Sequence, residues 1–169
     1  MKRILFLFDA LWHSFLLVLP GTYAFCKMRV KYYKRKGALI GKNSSISPNV
    51  RITGKFQMGN NSSIAQNCTI SGSESGIIIG DDVMVAPNCV LVAFNHGYGD
   101  IDTPMVKQKN IEKKIVVEDN VWISANCTIS AGVKIGKGSI IAANSFVNKD
   151  VATYSIVGGV PAKLIKSRL

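Results

Sequence analysis

The chemistry open to this chain of 169 residues is set first by its imidazoles, of which there are two, His13 and His96. Imidazole is the side chain best matched to moving protons near neutral pH. His13 lies inside an apolar run, residues 4–19, so His96 is the one histidine available as a general base to the rest of the chain. Three carboxylates are rival partners for its ring: Asp100 and Asp102 just after it, and the more distant Glu74. Spacing alone does not rank them. The four cysteines form no CxxC pair, so they are expected to be free thiols in a reducing compartment. No cluster of metal-ligand type is visible, and no metal is expected.

The elements that must position His96 are legible as a repeat. From residue 40 aliphatic residues recur every six positions: Ile40, Ile46, Ile52, Met58, Ile64 and Ile70, then, after a slip of three, Ile79, Val85 and Leu91. The period returns at Val117, Ile123, Ile129, Ile135, Ile141 and Val147. Three residues after the aliphatic position come Asn43, Asn49, Asn61, Asn67, Asn88, Asn120, Asn126 and Asn144, with Gly132 and Gly138 in equivalent places. Asn and Gly tolerate positive φ, so this is a corner. Four residues after it come small or β-branched residues such as Ser44, Val50, Cys68, Cys89, Val121 and Cys127, as a narrow interior requires. Each hexad is therefore one short strand and one corner, and three hexads make an 18-residue coil of a solenoid. Five coils fit: 40–57, 58–78 with a bulge, 79–96, 117–134 and 135–152. Cys68, Cys89 and Cys127 read as small buried hydrophobes, and Cys26 has no assigned role. The repeat fails over residues 96–116, a segment with Gly97, Gly99 and Pro104 that reads as a loop thrown out from the prism. His96 stands at its mouth, and an excursion from a regular repeat is where function concentrates.

Residues 1–39 differ from the rest. The apolar run ends at Pro20-Gly21, and a basic stretch with Tyr32 and Tyr33 follows over residues 27–36. Of the formal net charge of +11, +8 falls in residues 1–42, nine Lys/Arg against Asp9. A helix lying on an anionic membrane surface suits this pattern, with peripheral or monotopic contact through residues 1–36. Packing against the main domain or a partner subunit is the alternative, and sixteen residues with two ionisable groups are short for a span. No nucleic-acid motif accompanies the charge. A cytoplasmic location at the inner face of the membrane is expected. Residues 153–169 read as a C-terminal tail.

The run from Ile79 through Gly80, Asp81, Asp82, Val83, Met84, Val85, Ala86, Pro87 and Asn88, followed by His96, resembles the hexapeptide-repeat O-acetyltransferases, among them the galactoside and maltose acetyltransferases. So do Asn120-Val121-Trp122-Ile123, Asn148-Lys149-Asp150 and the closing Val157-Gly158-Gly159-Val160-Pro161-Ala162-Lys163. The basic, apolar N-terminus is similar to the branch that decorates surface polysaccharides. The resemblance implies an all-β fold, a left-handed parallel β-helix, assembled as a homotrimer with active sites between neighbouring prisms. It implies acetyl-CoA as co-substrate and a carbohydrate acceptor, possibly lipid-linked. His96 matches the catalytic histidine. Trp122 matches a tryptophan beside the site, and Ala125 and Ala143 match positions whose backbone meets the pantetheine arm. Asn148, Lys149, Lys163 and Lys166 match cofactor-contacting positions, with Asn148 replacing the family's usual threonine. On the acceptor side Gln66, with Asn67 beside it, and Glu74 fall where the sugar enzymes carry an Asn and an Asp. An antibiotic-inactivating acetyltransferase and a non-catalytic membrane-bound trimeric scaffold are the alternatives. A γ-class carbonic anhydrase is disfavoured because it needs three histidines on zinc.

Overall fold

The computed structural model describes residues 2–169, and of residues 2–6 the backbone only. Two helices precede the prism: α1, Lys2–Val18, and α2, Tyr23–Arg35, broken from each other at Pro20-Gly21. The carbonyls at the end of α1, which have no partner within the helix, are taken by a buried guanidinium. Arg29 of α2 donates from Nε to Leu16 O at 2.7 Å and from its terminal nitrogens to Leu19 O and Pro20 O. Burial lowers the Arg29 pKa, but the carbonyls around it solvate the charge. The pair of helices is fastened to the first coil by Asn49 N donating to Leu17 O (2.8 Å) and Tyr33 OH donating to Val50 O (2.7 Å). Part of the N-terminal segment thus packs on the main domain. No helix among the described residues is long and apolar enough to cross a membrane.

From Leu39 the chain winds as a parallel β-helix. Three sheets form its walls: a first begun by Leu39–Ile40, a second by Ser45–Ile46 and a third by Arg51–Thr53. In the first sheet Ile40 pairs with Met58, Met58 with Ile79 and Ile79 with Val117, so successive rungs are 18, 21 and 38 residues apart. The three extra residues are the slip at 71–76, and the twenty extra are the loop. The hexad aliphatics stack inside, all buried save the half-buried Ile52. Every expected asparagine corner has positive φ, from 53° to 62°. On the edge between the second and third sheets these asparagines bond side chain to side chain along the axis: Asn49 to Asn67 to Asn88 to Asn126 to Asn144, at 3.0 to 3.1 Å. The three inward cysteines donate to carbonyls of the next coil, Ala86, Ser124 and Ala142, and are free thiols. The contact with Cys89 and burial push the Cys127 thiol up, so it stays protonated.

Two boundaries differ from the sequence expectation. The excursion closes at residue 114, because Ile115 is already in register with Ile77. Residues 153–169 are a hairpin: Ser155–Gly159 extends the second sheet in parallel from Ile140–Ile141, and Ala162–Ser167 folds back on it. The hexad test misses this because the return strand is antiparallel and mostly exposed.

Candidate active site

His96 follows the strand Val90–Val92 of the third sheet, at the edge where the chain turns toward the first sheet. The loop it opens is a long hairpin, with Phe94 opposite Glu112 and Asn95 opposite Ile111. This antiparallel pairing sets Asn110 beside the imidazole, with Asn110 Oδ1 3.1 Å from His96 Nδ1. An amide oxygen only accepts, so Nδ1 carries the proton and the Nε2 lone pair is left free. The ring is exposed, and Phe94 meets it edge-on with centroids 6.1 Å apart. Gly97, next in the chain, is required by close approach: a Cβ there would lie 2.5 Å from Lys109 O.

None of the three carboxylates left open as partners of His96 holds it. Asp100 accepts from Asp102 N inside the loop, and Gln108 ties both sides of the tip by donating to Asp100 O and Thr103 O. Thr103 and the backbone N–H of Asp102 hold the Asp100 carboxyl below the usual range. Glu74 is paired with Lys55 at 3.1 Å in solvent. The reason is the hairpin itself, which carries residues 100–102 to the tip and brings residue 110 back to the mouth.

The loop is fixed at its base by a residue the sequence did not single out. Glu112 accepts from Ser73 Oγ at 2.6 Å and from the backbone N–H groups of Glu74 and Ser75 at 3.1 and 3.2 Å. Ser75 Oγ in turn donates to Ala93 O. Bulge 71–76 and the His96 loop are thus one docked unit. Neither Asn110 nor Glu112 has a periodic neighbour to mark it, and their partners lie 14 and 37–39 residues away.

The predicted site residues fall in four places. Glu74, His96, Asn148 and Lys149 share the edge between the third and first sheets. Gln66, Asn67, Ala125 and Ala143 share the edge between the second and third, across the full width of a sheet from His96. Asn67 is a rung of the asparagine ladder, its oxygen and nitrogen both engaged. Trp122 projects from the second sheet, exposed beside Met84. Lys163 and Lys166 lie on the return strand of the C-terminal hairpin. A cavity of about 270 Å³ joins Lys149 to Val157, Ala162 and Leu164 of that hairpin. Lys149, Lys163 and Lys166 make no ion pair among the described residues, so their charges are open to phosphate. The small Ala125 and Ala143 keep the corner low enough for a chain-like ligand to lie against backbone. These features fit coenzyme A. No group of His, Cys, Asp and Glu placed to hold a metal is found among the described residues.

Comparison with known proteins agrees with this geometry. Residues 114–149 match the bacterial transferase hexapeptide (six repeats) family. The galactoside O-acetyltransferase of Escherichia coli K12 is 30% identical over 82% of this chain and 68% of its own length. The chain belongs to the hexapeptide-repeat transferase family. A probable acetyltransferase of Mycobacterium tuberculosis is 33% identical over 54% of this chain, which spans only 31% of that relative's length. Among solved structures, a galactoside acetyltransferase in complex with coenzyme A superposes with a TM-score of 0.81 at 25% identity, covering 95% of this chain and 79% of that one. The prism is accordingly the left-handed parallel β-helix of this family.

Proposed function

We propose that this protein is an O-acetyltransferase that moves an acetyl group from acetyl-CoA to a sugar hydroxyl, with His96 as general base. The observation that carries the reading is the His96–Asn110 hydrogen bond, which in the neutral ring leaves the Nε2 lone pair free at the mouth of the loop. Acetyl-CoA supplies an activated thioester. His96 Nε2 takes the acceptor hydroxyl proton as that oxygen bonds to the thioester carbonyl carbon. The C–S bond then breaks, and the imidazolium returns the proton to the leaving thiolate. Backbone N–H groups along the wall stabilise the developing oxyanion. Transfer is direct, without an acyl-enzyme.

The site is completed by a second copy in a homotrimer. On one prism His96 and the Trp122, Ala125, Ala143 surface are separated by a sheet, so a neighbouring prism must bring the second surface to the first. The loop tip supports this, since Tyr98, Ile101, Met105 and Val106 all project apolar side chains into solvent from one chain. The acceptor belongs to surface polysaccharide assembly, at the inner face of the cytoplasmic membrane. That assignment rests on the basic, apolar N-terminal helices and on the sugar-modifying relative.

The test is acetyl-CoA turnover on a panel of sugars and lipid-linked sugars, with coenzyme A binding measured alongside. His96→Ala is expected to bind coenzyme A and lose activity by a factor of about 100 or more. Asn110→Ala is expected to fall between it and wild type. A wild-type protein that does not bind coenzyme A would return the scaffold reading to the front.

A further inference from the structure

Helix α1 is amphipathic the wrong way round for a helix packed on a soluble protein. At about 100° per residue, Leu7, Phe8, Leu11, Trp12, Phe15 and Val18 cover one arc of about 140°, and all six point outward with 44% to 78% of their surface exposed. Asp9 and His13 of the same helix face the protein instead. Asp9 is paired with Lys36 at 2.5 Å and accepts from Tyr32 OH. His13 stacks on Tyr32 with centroids 4.9 Å apart. Its Nε2 lies 3.1 Å from Tyr33 OH, whose proton goes to Val50 O, so the imidazole is the donor. Burial, aided by Arg51, lowers the His13 pKa, consistent with a neutral ring. The two ionisable residues within the apolar run are therefore engaged within the protein, and among the described side chains of α1 the outer face carries no charge. Six large exposed apolar side chains side by side make a continuous patch of the kind that marks an interaction surface.

The border of this face is basic. Lys31, Lys34 and Arg35 of α2 are exposed, and Lys31 and Arg35 line a depression with Trp12 and Met28. Asp9 is the only carboxylate in residues 1–42, and Lys36 neutralises it. We infer that the outer face of α1, flanked by the cations of α2, docks on an anionic lipid bilayer, with α1 lying in the interfacial plane. The apolar arc enters the acyl boundary while the lysines and Arg35 reach headgroup phosphates. A second copy fits this face poorly, because pairing two such faces would bring two basic borders together in a chain of net charge +11.

The docking deepens the proposed function by orienting the site, and for its acceptor it rests on that reading. The helices pack on the first coil, and His96 leaves the third. At about 4.8 Å per rung, His96 is on the order of 10 Å along the axis from the coil that carries the helices, close enough for a sugar held on a lipid phosphate to be offered to it.

The test is co-sedimentation of the full chain with vesicles of phosphatidylglycerol and phosphatidylcholine, against phosphatidylcholine alone. Wild type is expected to pellet with the anionic vesicles. Leu11→Asp/Phe15→Asp should bind at least 10-fold more weakly with an unchanged circular dichroism spectrum. Lys31→Glu/Lys34→Glu/Arg35→Glu should lose the preference for anionic lipid. Wild type left in the supernatant, equal pelleting by the Asp variant, or a change of oligomeric mass in that variant each overturns the inference. Acetylation of a water-soluble sugar by the same preparations separates the two readings. Activity without lipid binding sinks the docking alone, whereas lipid binding without activity supports it while the enzyme reading falls.

Discussion

The walls of the prism and the edge that carries His96 are built on opposite terms. In the walls every contact recurs: an inward aliphatic sits between two others of the same hexad position, and a corner asparagine bonds to the asparagine of the next coil. At the edge each contact occurs once. Asn110 meets His96, Glu112 meets the bulge, and Gln108 closes the tip, all at the surface. Stability is thus stored in a repeated, dry interior, and the proton chemistry proposed for His96 depends on exposed polar contacts that add little to it. The two can be perturbed separately, because distant sites without shared partners act independently.

The largest effect that sharpens this contrast is expected in the wall. Ile123 is fully buried, and Ile123→Ala removes its packing against Val85 and Ile141 and leaves a cavity. Denaturant unfolding should show a loss of about 2–5 kcal/mol. A truncation at the loop tip, Asp102→Ala, removes an exposed carboxylate and should stay within about 0.5 kcal/mol. Equal losses at the two positions would mean that the loop is part of the cooperative core, and the contrast would fail.

A middle-sized effect is expected at a corner. Asn88 sits at φ 62° and bonds to Asn67 and Asn126. Asn88→Ala forces a Cβ residue into the left-handed region and cuts the ladder, at a cost of about 1–2 kcal/mol. Asn88→Gly keeps the backbone relaxed, so its smaller loss reads the ladder and the added chain entropy alone. If the two variants unfold at the same denaturant concentration, backbone strain is not why asparagine stands there.

The same contrast explains what sequence reading could see. Hexad spacing marks the wall because one physical demand, a narrow stacked interior, is imposed at every turn, so Ile64, Cys68 and Asn67 each repeat a neighbour's type. His96 stood out because it broke that pattern. Asn110 and Glu112 were invisible because an antiparallel hairpin with fifteen residues between its short strands leaves no periodic trace. The partner of His96 stays open in the sequence for a related reason: charge makes Asp100, Asp102 and Glu74 candidates, but loop geometry delivers an amide. In α1 the composition was plain, whereas the direction of its faces depends on what α2 offers Asp9 and His13.

The smallest change in stability, and the sharpest separation of function from it, is expected at Glu112. Ser73 Oγ–H, then the N–H groups of Glu74 and Ser75, hold its carboxyl below the usual carboxylate range. A depressed carboxylate favours the folded arrangement above its unfolded value, about 4.3, and that contribution disappears as pH falls through the lower folded value. At neutral pH the clamp is fully made, and it loosens only in acid. Hydrogen-exchange protection of the 96–114 loop should therefore decline below about pH 4 while the prism stays protected. Glu112→Gln, which cannot ionise, should flatten that pH dependence and lower kcat several-fold at pH 7, because His96 is then carried on a looser hairpin. Its unfolding midpoint should match wild type, since the clamp lies outside the stacked interior. Loop protection that ignores both pH and the substitution would show that the hairpin holds itself, and that the bulge at 71–76 has no part in placing His96.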